Sequence, residues 1–233
     1  MPSTARTRPT ALVTGATRGI GAATARALHT THDVLLGGRD VAALERLAAE
    51  LPGAQPWPVE ITDDDALAAA CADVATLDVL VHSAGMGGIG PVASTSAAQW
   101  RAMLDLNVVA VAELTRLLLP ALRSARGHVV MINSGAGINA NPGWSAYAAS
   151  KFALRALADS LRAEEADNGV RVTSVHPGRV DTDMQRELRR TEGGEYEPNK
   201  YLTPESVASA VLTAVLAGED GQYTELVLRP LTR

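Results

Sequence analysis

The sequence of 233 residues contains a single cysteine, Cys71. One cysteine excludes an intramolecular disulfide, and its alanine-rich surroundings favour a small buried side chain. His128 and His176 flank predicted strands, and no set of cysteines and histidines resembles a zinc site. We therefore expect a protein without disulfides and without a catalytic metal.

Long apolar runs and an excess of basic residues are also missing. The formal net charge is −5 and the arginines are scattered among acidic residues, so no basic surface is predicted for nucleic acid. The most apolar region, residues 108–122, contains Glu113, Arg116 and Pro120, whereas a membrane span needs about 20 largely uncharged residues. The apolar stretch behind residues 1–9 is too short for a signal peptide. We expect a cytoplasmic protein that binds neither nucleic acid nor membranes and that begins with a flexible segment over residues 1–9.

Short aliphatic runs alternate with longer segments rich in alanine, leucine, arginine and glutamate. The runs predict strands at Ala11–Thr14, Val34–Gly37, Ala54–Val59, Leu77–His82, His128–Asn133, Val170–His176 and Tyr223–Leu228. The longer segments predict helices at Ile20–Thr30, Val41–Leu51, Asp64–Val74, Ala97–Ser124, Ser145–Asn168 and Pro204–Leu216. Several strands are apolar throughout, as in a parallel sheet covered on both faces. We predict an α/β fold in one domain, residues 1–233, with a doubly wound parallel β-sheet flanked by helices on both faces.

A polar, glycine-containing segment from Thr191 to Pro198 interrupts the helical patterns near the end of the chain. It is the best candidate for a lid, within a substrate loop predicted at about residues 184–202, because long loops in folded domains are often functional. A solvated surface loop is the alternative, and the sequence leaves both open.

A glycine-rich segment, Thr14–Gly21, follows the first predicted strand and opens the first predicted helix. Glycines at positions 15, 19 and 21 permit a tight turn and a close approach of the backbone to a ligand. The amides at the start of the helix would then face a pyrophosphate. This placement predicts a bound dinucleotide.

The pattern Thr-Gly-x-x-x-Gly-Ile-Gly at residues 14–21 resembles the cofactor signature of the short-chain dehydrogenase/reductase family. Further motifs of that family follow in order over nearly the whole chain, and they are Ser83-Ala84-Gly85, Asn107, Ser134, Tyr147-x-x-x-Lys151 and Pro177-Gly178. The resemblance implies a Rossmann-like fold and an NAD(P)-dependent oxidoreductase that acts on a CH–OH or C=O group.

Tyr147 and Lys151 are four residues apart at the start of a predicted helix, so their side chains share one face. A free phenol has a pKa of about 10 and needs help to act as an acid or base near neutral pH. A nearby ammonium favours the phenolate, since two unit charges about 4 Å apart interact by about 4 kcal/mol at an effective dielectric constant of about 20. The pair therefore permits a tyrosine acid/base whose pKa is lowered by the lysine.

The resemblance implies a catalytic tetrad of Asn107, Ser134, Tyr147 and Lys151. Tyr147 would donate a proton to the developing alkoxide, Ser134 would hydrogen-bond the substrate oxygen, and Lys151 would also hold the ribose hydroxyls of the cofactor. Asn107 would anchor a water that links Lys151 to solvent. Taken singly, each has a structural alternative: a helix-face pair, a turn serine or a helix-bending asparagine.

The cofactor-binding residues implied by the resemblance follow the predicted strands. They are Gly15, Thr17, Arg18, Gly19, Ile20, Gly21, Arg39, Glu60, Ile61, Ser83, Ala84, Gly85, Tyr147, Lys151, Pro177, Gly178, Val180 and Thr182. Glu60 would lie beside the adenine ring, Thr182 would contact the carboxamide, and Met184 could close the apolar substrate side. Ser83 stands where the family usually has an asparagine that ties neighbouring strands together, and it offers only a hydroxyl.

The end of the second predicted strand carries the signal for cofactor preference. NAD-preferring relatives often place an acidic residue there, whereas this chain has Gly38 followed by Arg39. The guanidinium of Arg39 suits a 2′-phosphate, and Arg18 adds a second cation, so we predict NADP(H) in preference to NAD(H). The alternative is that Arg39 pairs with an acid such as Asp40 or Glu60 while Arg18 faces solvent.

Two other functions stay open on this scaffold: a non-catalytic NADP-sensing regulatory protein, marked by a broken tetrad, and an isomerase or dehydratase. The segments that frame the pocket, residues 86–90, 135–144 and 184–201, do not distinguish a small ketone from an acyl thioester, sugar, steroid or quinone. The two longest predicted helices resemble those that pair across family dimers, so we expect a homodimer or homotetramer. A monomeric mass by light scattering would contradict this.

Overall fold

A seven-stranded parallel β-sheet forms the centre of the structure, a computed structural model that describes residues 8–218 and 220–231. In chain order the strands are β1 (Thr10–Thr14), β2 (Asp33–Gly38), β3 (Gln55–Pro58), β4 (Val79–His82), β5 (His128–Ile132), β6 (Arg171–Pro177) and β7 (Glu225–Leu228). They lie side by side in the order β3-β2-β1-β4-β5-β6-β7. Each of the seven predicted strands is present, with bounds that differ by one or two residues.

Helices cover both faces of the sheet. They are α1 (Gly19–His29), α2 (Val41–Glu50), α3 (Asp64–Cys71), α4 (Ala97–Leu104), α5 (Ala110–Ala125), α6 (Ser145–Glu164), α7 (Asp183–Glu192) and α8 (Pro204–Val215). The Rossmann-like, doubly wound architecture predicted from the sequence is confirmed. Within the described residues, every helix is too short or too polar to cross a membrane.

Successive residues of the central strands point to opposite faces and build two apolar layers. Leu12 of β1 belongs to the layer that includes Leu114 of α5, whereas its neighbour Val13 belongs to the layer that includes Leu28 of α1. All four side chains are fully buried. This two-sided burial is why the central strands read as unbroken apolar runs in the sequence.

The structure corrects the prediction of a loop over residues 184–202, because α7 occupies its first half. The Thr182 hydroxyl caps the helix by accepting the backbone N–H of Gln185, and Gly193 ends it in the left-handed conformation. Arginine–acid pairs three residues apart stabilise its exposed surface. The helix was not predicted from the sequence because most of its residues are charged or polar, and only Met184 and Leu188 are apolar.

The helix predicted over residues 97–124 has the expected extent but is not a regular α-helix. A π-helical segment, Asp105–Val109, joins α4 to α5. Widened turns of this kind occur often at functional sites. Asn107 lies in this segment with its side chain buried, so the irregularity coincides with a predicted catalytic residue.

The strand order reverses between β1 and β4, because the chain runs from β1 outward to β3 and then crosses to the other side through β4. Loops that leave such a pair of strands diverge and open a crevice at their carboxyl ends. Residues 15–21 follow β1 and residues 83–85 follow β4. The topology therefore brings two separate predicted motifs to one crevice.

Arg8, the first of the described residues, contacts the end of α1. Of the segment 1–9 that the sequence predicts to be flexible, residues 1–7 lie outside the described residues. The Arg8 guanidinium donates to the backbone carbonyls of His29 and His32 at 2.5 and 3.0 Å. The last part of the segment is therefore tied to the end of α1.

Two buried histidines, His82 and His128, are expected to make the protein less stable in mild acid. Burial lowers the pKa of each from 6.5 to about 3. The unfolded chain binds the two protons near pH 6.5, whereas the folded chain binds them only near pH 3. The free energy of unfolding is therefore highest above pH 6.5, and it falls below that pH by about 1 kcal/mol per pH unit for each histidine.

The hydrogen bonds of the two rings show which nitrogen carries the proton, while the low pKa of each ring follows from its burial. Nε2 of His82 lies 2.9 Å from the Thr115 hydroxyl, and Nε2 of His128 lies 2.7 Å from the Thr173 hydroxyl. Each hydroxyl donates its own hydrogen to a backbone carbonyl, so each Nε2 carries the ring proton. Urea unfolding at about pH 7 and about pH 5 measures the effect, and equal unfolding free energies would contradict it.

Candidate active site

The turn between β1 and α1 depends on glycine for both conformation and space. Gly15 and Gly19 have φ angles of +66° and +54°. A Cβ at Gly15 would lie 2.9 Å from the backbone of Ala84, and a Cβ at Gly21 would lie 2.1 Å from the carbonyl oxygen of Gly15. The N-cap residue of α1, Arg18, makes no side-chain hydrogen bond to the first turn, which leaves that helix end suited to an anion.

A groove of about 1260 Å³ runs past this turn and along the carboxyl ends of the strands. The predicted cofactor residues that line it are Gly15, Thr17, Arg18, Gly19, Ile20, Gly21, Arg39, Glu60, Ile61, Ser83, Ala84, Gly85 and Thr182. The others, Tyr147, Lys151, Pro177, Gly178 and Val180, line an adjoining cavity of about 280 Å³. The structure thus brings all the predicted cofactor residues together, and the glycine cradle with its long groove fits a dinucleotide.

Thr14, the first residue of the glycine-rich segment, links β1 to the loop after β4. Its hydroxyl accepts the backbone N–H groups of Ser83 and Ala84, both at 3.1 Å, and donates to the carbonyl of Val81 at 3.3 Å. The link uses the backbone of residue 83, so it does not depend on that side chain. The replacement of the usual asparagine by Ser83 therefore leaves this connection in place.

Ser134, Tyr147 and Lys151 all line the smaller cavity. Ser134 follows β5, and its Oγ accepts the backbone N–H of Ala136 at 3.1 Å. Tyr147 and Lys151 lie near the start of α6, where they are 9% and 6% exposed. Lys151 Nζ donates to the carbonyl of Ile132 at 2.9 Å. The three side chains thus share one site, and their catalytic roles stay predictions.

The pKa of Tyr147 differs from the one that its spacing from Lys151 predicts. Burial raises the pKa of the Tyr147 phenol, and a hydrogen bond with Ser134 lowers it by less. Nζ of Lys151 lies 5.9 Å from the centre of the phenol ring, and burial lowers the pKa of Lys151 to about 8. The chain by itself therefore lacks the lowering of the Tyr147 pKa that the spacing predicts, because desolvation of the phenol dominates.

Asn107 holds the loop after β4 beside Lys151. Its Oδ1 accepts the backbone N–H of Met86 at 2.9 Å, and its Nδ2 donates to the Met86 carbonyl at 2.9 Å and to Ser150 Oγ at 3.0 Å. Gly85 lies between, since a Cβ there would be 3.1 Å from Asn107 Oδ1 and 4.0 Å from Lys151 Nζ. Asn107 thus lies near Lys151 across Gly85, while its water-anchoring role stays a prediction.

The loop that carries Ser134 is supported by two residues that the sequence analysis did not assign to the site. His176 is buried, and its Nδ1 lies 3.1 Å from the carbonyl oxygen of Ser134. The guanidinium of Arg229 donates to the His176 carbonyl at 3.0 Å and packs against Gly135. These contacts join residues 42 and 53 positions apart, so no local sequence pattern signals them.

Among the described residues, no three acidic, cysteine or histidine side chains are placed to hold a metal ion.

Arg39 pairs with Glu60, one of the acids that the sequence left open as its partner. Its Nη1 lies 2.9 Å from Glu60 Oε2 in an exposed ion pair, while Asp40 caps α2 instead. Burial raises the pKa of Glu60, but hydrogen bonds from Arg39 and Thr62 more than offset this and lower it. The Arg39 side chain is 78% exposed and lines the groove, so its remaining donors can still reach a ligand.

The loop after β6 packs against the glycine turn. A Cβ at Gly19 would lie 3.2 Å from the methyl group of Thr182, and Val180 pairs with Leu202 in an isolated bridge. Met184 lines both the groove and the cavity, which is the position expected of a residue that closes the substrate side. The loop after β6, which carries the predicted carboxamide contact Thr182, therefore borders both the groove and the cavity.

The residues after α7 fold back onto this loop. The Tyr196 hydroxyl donates to the Asp181 carboxylate, and the Arg186 guanidinium lies over the Tyr196 ring with Cζ 5.1 Å from its centre. The Tyr196 ring also packs against the Tyr201 ring at 5.1 Å. The segment predicted as a lid is thus fastened beside the cavity, and its movement stays a prediction.

Comparison with known proteins gives one consistent family. The family model described as short chain dehydrogenase matches residues 9–193. Dehydrogenase/reductase SDR family member 11 of Gallus gallus is 33% identical over 94% of this chain and 95% of that protein. Glycine betaine reductase ATRR of Emericella nidulans is 34% identical over 94% of this chain, which spans only 18% of that protein.

A solved structure agrees with these sequence relatives. The alcohol dehydrogenase from the archaeon Thermococcus sibiricus, complexed with 5-hydroxy-NADP, is 28% identical and superposes with a TM-score of 0.87. The superposition covers 96% of this chain and 97% of that one. The similarity thus extends over the sheet, the groove and the cavity.

Proposed function

Since the chain belongs to the short-chain dehydrogenase/reductase family of NAD(P)-dependent oxidoreductases, we propose that it is an NADP-preferring enzyme that interconverts a carbonyl compound and its alcohol. The observation that carries the proposal is the convergence of Ser134, Tyr147 and Lys151 on one cavity that adjoins the glycine-lined groove. Tyr147 acts as the general acid in reduction and as the general base in oxidation.

The groove residues hold a nicotinamide dinucleotide in this proposal. The glycine turn at residues 15–21 binds the pyrophosphate, Lys151 holds ribose hydroxyls, and Thr182 binds the carboxamide. When bound, the nicotinamide supplies the hydride in reduction and accepts it in oxidation.

The protein residues manage the proton and the orientation of the substrate. Ser134 donates a hydrogen bond to the substrate oxygen, and the Tyr147 hydroxyl gives that oxygen its proton. Reduction requires the protonated phenol, and burial raises the pKa of Tyr147 further above neutral pH. We propose that the rate of reduction falls, and that of oxidation rises, as the phenol ionises in alkaline solution.

Turnover of NADPH with a panel of aldehydes and ketones tests this function. Turnover on a member of the panel supports the reductase. Tight binding of NADPH without turnover on a broad panel would favour a nucleotide-sensing protein instead. Failure to bind either NADPH or NADH would overturn the proposal.

Replacing Arg39 with alanine is expected to raise the Kd for NADPH by about 10- to 100-fold, as for loss of a charge-assisted hydrogen bond to phosphate. The Kd for NADH should change much less, because NADH has no 2′-phosphate. Glu60→Gln is the matched variant: it removes the carboxylate that occupies Arg39, so the Kd for NADPH should fall. Calorimetric titration of both nucleotides measures the effect, and equal weakening of both by Arg39→Ala would contradict the assigned preference.

A further inference from the structure

The cavity that holds the catalytic tyrosine also contains a cation that the proposed reaction does not use. Arg179 lines this cavity together with Trp144 and Tyr147. The Arg179 guanidinium lies over the Trp144 ring, with Cζ 5.8 Å from the ring centre, and the centres of the Trp144 and Tyr147 rings are also 5.8 Å apart. The indole thus contacts both the phenol and the guanidinium in the wall of the substrate space.

Arg179 shares its carboxylate partner, Glu192, with a second arginine. Its Nη1 and Nη2 donate to both oxygens of Glu192, at 2.8 and 2.6 Å. The same carboxylate also accepts Nη1 of Arg189 at 2.6 Å. Two guanidinium groups therefore share one carboxylate. A guanidinium has five N–H donors, so Arg179 keeps donors for a further anion after its two bonds to Glu192 and its hydrogen bond with Tyr201.

Gln185 provides a second, independent feature of the same cavity. The residue is only 5% exposed and lines the cavity beside Arg179. Its Nε2 is buried and has no hydrogen-bond partner among the described residues. Buried amide groups in folded proteins are almost always hydrogen-bonded, so a partner supplied by a ligand would explain this side chain.

We infer that the substrate is an oxo acid, whose carboxylate binds Arg179 and the Gln185 carboxamide while its carbonyl group lies at Ser134 and Tyr147. This inference rests on the proposed function and specifies its substrate class.

The reaction then yields a hydroxy acid. The carbonyl carbon gains a hydride from NADPH, which is oxidised to NADP⁺, and the carbonyl oxygen gains the Tyr147 proton. One C–H and one O–H bond form while the C=O double bond becomes single. The carboxylate is unchanged and keeps its charge throughout, so Arg179 serves binding and selection without entering the chemistry.

Comparing oxo acids with esters of equal length tests whether Arg179 binds the substrate carboxylate or only stabilises the fold. The probes are straight-chain 3-, 4- and 5-oxo acids and their methyl esters, and the quantity measured is the ratio of kcat/KM for each acid to that for its ester. Arg179→Met should lower this ratio by about 10- to 100-fold, the range for a hydrogen-bonded charge, and Arg179→Lys should restore part of it. Gln185→Leu should lower the ratio by about 3- to 10-fold, as for a neutral hydrogen bond.

Glu192→Gln is the deciding variant, because it breaks the same ion pair from the other side. If the pair only fastens α7, Arg179→Met and Glu192→Gln change the ratio in the same direction. If Arg179 binds a carboxylate, Glu192→Gln raises the ratio, since the guanidinium loses its competing anion. Arg116→Met changes net charge equally but lies on the outer surface of α5, and it should leave the ratio unchanged.

The outcomes also distinguish this inference from the proposed function. Reduction of neutral ketones and esters with no preference for any acid would overturn the oxo-acid assignment and leave the reductase intact. Binding of NADPH without reduction of any ketone, ester or acid would overturn both. A preferred acid whose ratio falls in Arg179→Met and rises in Glu192→Gln supports the assignment.

Discussion

Replacing Tyr147 with phenylalanine is expected to lower kcat/KM for carbonyl reduction by about 10²- to 10⁴-fold, the usual contribution of a positioned general acid. The change removes a single oxygen from a ring that is 9% exposed and packs against Trp144 with ring centres 5.8 Å apart. The phenyl ring keeps that contact, so the fold should persist. The predicted nucleotide contacts of the glycine turn lie on other elements, so NADPH should still bind.

The experiment compares the rate of NADPH oxidation and the Kd for NADPH in wild type and Tyr147→Phe. Ser134→Ala serves as a second variant, because its hydroxyl contacts the phenol and would orient the substrate oxygen. We expect both variants to lose turnover while retaining NADPH binding. Unchanged turnover in Tyr147→Phe would remove Tyr147 from the mechanism.

Replacing Lys151 with methionine is expected to abolish most activity without destabilising the protein. The ammonium is 6% exposed and makes one hydrogen bond, to the carbonyl of Ile132. Burial of this charge is unfavourable, as its pKa of about 8 indicates, and a buried apolar side chain of similar volume avoids the penalty. The free energy of unfolding at neutral pH should therefore stay equal or rise, by up to a few kcal/mol.

The gain in stability from Lys151→Met depends on pH because burial lowers the pKa of Lys151. The folded chain releases the Lys151 proton near pH 8 and the unfolded chain near pH 10.5, so the penalty is complete below pH 8 and disappears as the pH rises to 10.5. The stability advantage of Lys151→Met should shrink over the same range. Urea unfolding at several pH values measures it.

Lys200→Met is the matched control for Lys151→Met. Lys200 is an exposed lysine that pairs with Glu197 outside the cavity, so its replacement should change neither stability nor turnover much. A marked loss of stability in Lys151→Met with turnover retained would show a structural lysine instead of a functional one.

The predicted catalytic pair and the glycine motif could be found in the sequence because each depends on local geometry. Tyr147 and Lys151 are one helical turn apart, and the glycines at positions 15, 19 and 21 lie within a single turn between a strand and a helix. Spacing along the chain therefore fixes their relative positions. The strands were predictable for a similar reason, since a sheet covered on both faces requires apolar runs.

Contacts between distant segments could not be predicted in this way. Thr14 reaches Ser83 across 69 positions, and His176 reaches Ser134 across 42. Helix α7 was not predicted because only two of its ten residues, Met184 and Leu188, are apolar, so no long apolar pattern marks it. The ion pair of Arg39 with Glu60 was one of several that the sequence permitted, and folding selected it.

The parallel sheet, the glycine turn and the spacing of Tyr147 and Lys151 follow from the sequence alone, because backbone geometry and short spacings encode them. The electrostatics of the site follow only from the folded chain, because desolvation depends on how completely the fold surrounds each group. Burial raises the pKa of Tyr147 and lowers that of Lys151, and folding places Arg179, paired with Glu192, in the wall of the same cavity.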